Sequence, residues 1–172
     1  PLDNFFEGGD VLSMLLAPAT AVLALYIYNQ LKLLRQYAIP VLVGCTVGSV
    51  TSIASIMLMC KLAGLDEQLT ASLLPKSCTT PIAMSISGSM GGLTAITVVA
   101  VIITGIFGAI MAPTFAKLFC VDDAVAEGLA IGACSHAVGT SRAVEIGEVQ
   151  GAMSGVAIGV CGLISVIIAM FL

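Results

Sequence analysis

Two polar runs interrupt otherwise apolar stretches of this 172-residue chain, and their residue types are those that hold small anions or carry protons. The first is Pro75-Lys76-Ser77-Cys78-Thr79-Thr80-Pro81, and the second is Ser135-His136-Ala137-Val138-Gly139-Thr140-Ser141-Arg142. Each combines hydroxyls, a basic side chain and a residue that breaks or loosens a helix. In the first run, the ammonium of Lys76 and the hydroxyls of Ser77, Thr79 and Thr80 suit a small carboxylate. A helix resuming near Ile82 would add N-terminal amides, which favour anions. The competing reading is that Lys76 snorkels to an interface and the hydroxyls only satisfy freed backbone groups. In the second run, His136 is the only histidine. Such a side chain could exchange a proton near neutral pH, with Gly139 and Thr140 completing a site, or it could be a structural imidazole bonded within a helix break. Arg142 and Glu145, three residues apart, share a helix face and form a structural or gating ion pair.

The elements that must position these groups are membrane helices. The chain is 59% hydrophobic and 9% charged, with a mean hydropathy of +1.12, whereas soluble domains carry about 25% charged residues. Val11–Leu31, Ala38–Cys60, Ser77–Ala116 and Val149–Leu172 contain no charge at all, and about 20 apolar residues suffice to cross a bilayer. The fold class is therefore an all-α polytopic membrane protein. Backbone that leaves a helix at membrane depth is costly unless it lines a cavity or is buried in protein. Broken, hydroxyl-rich helices of this kind build the substrate sites of many secondary transporters.

Along the chain, Val11–Gln30 reads as a helix broken or kinked near Pro18, with Lys32 and Arg35 marking its end. Ala38–Cys60 reads as a plain span with Pro40 in its first turn, where proline is tolerated. Its stripe of Gly44, Gly48, Ser52 and Ser55 permits close helix contact. Asp66–Leu74 is too short to cross. Pro75 and Pro81 bracket the first polar run, and Thr80, preceding a proline, is expected outside helical geometry. Helix resumes over Ile82–Ile86, so Asp66–Ser87 either re-enters or crosses in pieces. Leu93–Leu118 is a full span. Asp122–Cys134 and Thr140–Ile146 are half-helices around the second run, and Val149–Leu172 is the last span. Lys32, Arg35 and Lys117 on one side, with Lys61 on the other, mildly favour re-entry by the positive-inside rule. The order broken helix, then plain span, occurs over residues 11–60 and again over 122–172. It suggests an inverted-repeat bundle with two discontinuous or re-entrant helices.

Other chemistries find little support. No GxSxG motif accompanies the lone histidine, and Gly88-Ser89-Met90-Gly91-Gly92 lacks the lysine and preceding strand of a phosphate loop. Six Lys and Arg in total make no nucleic-acid face. The six cysteines show no metal-ligand spacing and read as small apolar residues. The expectation is a non-enzyme with no cofactor and no metal.

Leu16-Ala17-Pro18-Ala19-Thr20, the run Ser72–Met84, and Gly128-Leu129-Ala130-Ile131-Gly132 leading into Ser135-His136-Ala137-Val138-Gly139-Thr140 resemble the LrgB/CidB family. The resemblance runs in order from Gly8 to the end, so residues 1–172 read as one LrgB-like membrane domain. Members typically carry further N-terminal helices, which fits a chain starting at Pro1. The resemblance implies two functions. One is secondary transport of small monocarboxylates of the glycolate, glycerate or pyruvate type, as in the plastidial glycolate/glycerate translocator. The other is antiholin-like regulation of murein hydrolase export and autolysis without a solute site. It also implies an inner (plasma) membrane location and a small LrgA-like membrane partner. The further partners expected are the lipid bilayer, the carboxylate solute and a second copy of the chain. This sequence departs from many members at Leu25-Tyr26, where they have a proline before the tyrosine, and the Pro75-Lys76 pair is not universal in the family.

Overall fold

Apolar runs of this length leave the backbone no partner but itself, so helices are the expected outcome in lipid, and the described residues are all-helical apart from short turns. The computed structural model describes residues 31–172 continuously and, before them, only positions 14, 18, 21, 25 and 28. Pro18 is itself helical; the break expected around it, like most of residues 11–30, lies outside the described residues. Seven helices follow among the described residues: α1 (Leu31–Gln36), α2 (Ala38–Ala63), α3 (Glu67–Leu73), α4 (Thr80–Ser89), α5 (Thr94–Leu118), α6 (Ala124–Ile146) and α7 (Glu148–Ala169). Arg35 lies in the last turn of α1, just before the turn at Tyr37, with Lys32 one turn earlier, so the basic pair stands at a helix end as expected.

Helices α2, α5 and α7 are long and apolar enough to cross a membrane. Half of the apolar window of α7 is buried, against 17% in α2 and in α5, so α7 is the central helix and the other two turn most of their surface outward. Outward side chains such as Ile39, Val47, Ile103 and Ile110 are exposed, which suits contact with hydrocarbon. The core joins Val41 and Cys45 of α2 to Met153, Val156, Ala157 and Cys161 of α7. Most of the small-residue stripe of α2 faces inward: Gly44 meets Leu129 of α6, and Ser52 reaches the turn after α3, whereas Ser55 is exposed. Close approach is tightest where α6 crosses α7. A methyl group at Gly132 would collide with the backbone of Ser154, so only glycine fits there.

Two discontinuities interrupt this frame. Helices α3 and α4, about 10 and 15 Å long at 1.5 Å per residue, are each too short to span. Asp66 caps α3 by accepting from the Leu69 amide at 2.7 Å. Helix α4 begins at Thr80, two residues before the expected Ile82, and it runs through Ser89. Pro81 sits in its first turn, where a missing N–H costs nothing, so the extended residue is Thr79 (φ −64°, ψ 149°) rather than Thr80. A buried polar knot ties these pieces to α5. Leu93 N donates to Ser72 Oγ at 2.7 Å, and Thr97 Oγ1 lies 2.8 Å from Ser72 O and 2.7 Å from Ser87 Oγ. The second discontinuity is narrower than expected. Asp123 caps α6, and the only non-helical residue inside it is His136 (φ 41°, ψ −139°). Ala137, Val138 and Gly139 are already helical again.

Candidate functional site

Both discontinuities sit at mid-span depth. Ser77 Oγ is 2.8 Å from Ser52 Oγ, near the middle of α2. Ser135 packs against Gly108, near the middle of α5, so closely that a methyl group there would overlap its hydroxyl. Between them lies a cavity of about 520 Å³, lined by Lys76 from the turn, Thr104 and Phe107 of α5, and Glu127, Cys134 and Ser135 of α6, with Phe115 and Phe119 toward one end. The size falls in the range of small-molecule sites, and the walls are apolar with a few polar groups, as such sites commonly are. Lys76 is partly buried and has no ion-pair partner among the described residues. A lone ammonium at this depth is an anion receptor in waiting, because a cation surrounded by apolar walls gains most from a counter-ion.

The other residues singled out in the sequence divide into those with partners and those without. Pro75 and Pro81 bound the turn, Pro75 buried within it and Pro81 in the first turn of α4. Thr79 is 5% exposed, and its hydroxyl neither caps α4 nor meets any other partner. Thr80 N and Ile82 N occupy first-turn positions that helix geometry leaves without intrahelical acceptors. Thr79 and Thr80 line neither the large cavity nor a smaller one beside it. His136 is 4% exposed and sits 2.9 Å through Nε2 from Val101 O. A carbonyl can only accept, so Nε2 carries the hydrogen. Thr140 Oγ1 donates to His136 O at 3.0 Å and accepts from Ser154 Oγ at 2.6 Å. Gly139 packs on Ser135 and Ile131. Arg142 and Glu145 form the anticipated pair, Nη1 to Oε2 at 2.6 Å, on an exposed face. The structure thus brings Lys76 and the first half of α6 to one cavity and sets His136, Gly139 and Thr140 into the scaffold behind it.

Glu127 and Thr104 escaped the sequence reading. Glu127 stands in the first turn of α6, near a span end, yet it lines the cavity and accepts from Gln150 Nε2 at 3.1 Å. The signal was present in the spacing: 127, 131 and 134 lie four and three apart, hence on one helix face.

A family model described as "LrgB-like family" matches residues 1–172. Among similar proteins, "Antiholin-like protein LrgB" of Bacillus cereus is 37% identical over 166 residues, covering 96% of this chain and 72% of that protein. Two proteins of Bacillus subtilis (strain 168), YwbG and YxaC, are each 36% identical. The first match covers 100% of this chain and 76% of YwbG, and the second covers 94% and 70% of YxaC. No solved structure matches the chain.

Proposed function

The chain belongs to the LrgB-like family, and we propose that it is a secondary transporter of small monocarboxylates in the inner (plasma) membrane, with Lys76 as the principal anion ligand. The observation that carries this reading is the unpaired ammonium of Lys76 on a cavity of about 520 Å³ at mid-span depth. A membrane protein gains nothing structurally from a partly buried cation with no counter-ion among the described residues, and half-broken helices around such a centre are the common construction of carriers. Ser135 offers the anion a hydroxyl from across the cavity. Ser77, bonded to Ser52, fixes the turn that aims Lys76. Thr79 and Thr80 line neither cavity and belong to the support of the turn rather than to the solute's contacts. His136, Gly139 and Thr140 hold the second wall in place. The cavity is roomier than glycolate or pyruvate requires, so the solute shares it with water or carries an apolar tail against Phe107 and Phe115.

The names of the Bacillus relatives favour a second reading, antiholin-like regulation of murein hydrolases, working with a small LrgA-like partner or a second copy of the chain. Purified protein in liposomes separates the two. Uptake of labelled pyruvate or glycolate by the protein alone supports transport. Lys76→Met should then lose about thirtyfold or more in uptake efficiency with normal membrane insertion, since leaving a buried charge partner unmatched costs about 2–5 kcal/mol. Unchanged saturation kinetics in Lys76→Met would remove Lys76 from the site. Absence of any carboxylate flux, together with altered murein hydrolase release in cells, would favour the regulatory reading.

A further inference from the structure

A second polar space lies behind the turn. It measures about 10 Å³, room for a single water-sized particle. Ser49 and Ser52 of α2, Ser77 and Cys78 of the turn, and Cys161 and Ser165 of α7 line it. Only a thin wall divides it from the large cavity. Lys76 lines the large cavity and Ser77 the small one, and on α6 Cys134 lines the large cavity and Ala133 the small one. Neighbouring Cα atoms are about 3.8 Å apart, so the partition is one residue thick at both places.

We propose that this void is a binding site for a small monovalent cation of the size of Na⁺, coupled through the partition to the anion beside Lys76. Four hydroxyl-bearing side chains from three separate elements, Ser49, Ser52, Ser77 and Ser165, line this one void. A hydroxyl on a membrane helix usually bonds back to its own backbone, as Thr46 does to Leu42 O at 2.6 Å. Ser52 instead reaches across to Ser77 at 2.8 Å, and both residues line the void. Hydroxyl and carbonyl oxygens are hard ligands, suited to hard cations. No carboxylate lines the void, so a divalent ion would keep most of its charge uncompensated. Two thiols are too few for a soft metal, and no group of three metal-ligating side chains occurs among the described residues. Leu74, at the C-terminal end of α3, also lines the void. The last carbonyls of a helix carry partial negative charge and lack intrahelical donors.

The coupling follows from position. A cation in the void is repelled by the ammonium of Lys76, the residue next to the void-lining Ser77, and a carboxylate bound at Lys76 cancels that repulsion. Anion and cation therefore raise each other's affinity by the same factor. This coupling rests on the transport reading above, whereas the cation site does not. The test uses intact protein in detergent, unfolded thermally in NaCl or in choline chloride at equal ionic strength. A saturable, Na⁺-specific rise in Tm is expected, with little response to the larger K⁺. Ser49→Ala and Ser165→Ala should each raise the half-saturating Na⁺ concentration roughly tenfold or more. Saturating pyruvate should lower that concentration in the wild type and leave it unmoved in Lys76→Met. No Na⁺-specific stabilisation of the wild type would mean that the void holds water alone and would overturn the site, whatever liposome uptake shows. Na⁺ binding of equal strength with and without pyruvate, in protein that does take up pyruvate, would overturn the coupling.

Discussion

The two helix breaks solve one problem, freed backbone at membrane depth, in opposite ways. Around His136 nearly every polar group is paired within the protein: the imidazole with Val101 O, and Thr140 with both His136 O and Ser154. Around Thr79 the groups are left open. The Lys76 ammonium has no counter-ion among the described residues, and the Thr79 hydroxyl is buried without a partner. Hydrogen bonds made internally are not available to a passing solute. A break with satisfied groups is scaffold, and a break with unsatisfied ones is where a ligand can supply what is missing. Polar residues inside a span do not by themselves distinguish the two. The bookkeeping of donors and acceptors does.

The sharpest way to break this contrast is to attack the satisfied side. A Cβ at Gly105 would lie 2.6 Å from His136 Cε1 and 3.0 Å from Val138 Cβ, so Gly105→Val must push the imidazole off Val101 O. Overpacking costs about 1–3 kcal/mol and the lost hydrogen bond about 1 more. The expected result is a fall of several degrees in Tm and a smaller monodisperse fraction in detergent. Any uptake lost should track the lost folded protein. A fully stable Gly105→Val protein with abolished uptake would move His136 from scaffold to site.

The opposite sign is expected at the open break. Thr79→Val keeps the shape and removes a buried hydroxyl that has no partner. Such an orphan costs about 1–3 kcal/mol, so the variant should be more stable by about 1 kcal/mol, read as a raised Tm. Uptake should stay near the wild-type level, because Thr79 lines neither cavity. A destabilised Thr79→Val would mean that the hydroxyl is already satisfied and that the two breaks differ less than the geometry indicates.

Much of this was legible in the chain, and the misreadings are instructive. Apolar runs located the spans, prolines the first break and the hydroxyl-rich run around His136 the second, because span length and the missing proline donor are strong local constraints. The extents were harder. The break in α6 was expected over residues 135–139, but within it the chain turns only at His136, whose φ is 41°. Gly139 serves instead to bring Ser135 and Ile131 close, a tertiary demand that no local propensity reports. Helix α4 starts before its proline for a similar reason, since the first turn has no use for that amide. Glu127 was not singled out, because charges near span ends usually face solvent. Its place on the cavity depends on how α6 rotates against α5, which packing decides.

The smallest expected effect concerns the Arg142–Glu145 pair, which lies beyond the break in the second half of α6. At 2.6 Å its geometry is good, yet the two side chains are 44% and 65% exposed. Solvent screening limits exposed pairs at this helical spacing to about 0.3–0.5 kcal/mol. Arg142→Gln and Glu145→Gln, alone and together, should therefore shift Tm by little more than the error of measurement, and uptake should stay near the wild-type level. A double-mutant cycle isolates the pair from the rest of each side chain's surroundings. If the cycle returns more than about 1 kcal/mol, or if either variant loses uptake that the charge-swapped Arg142→Glu/Glu145→Arg protein recovers, the pair works as a gate. The second half of α6 would then join the moving parts, and the division into one open break and one structural break would no longer hold.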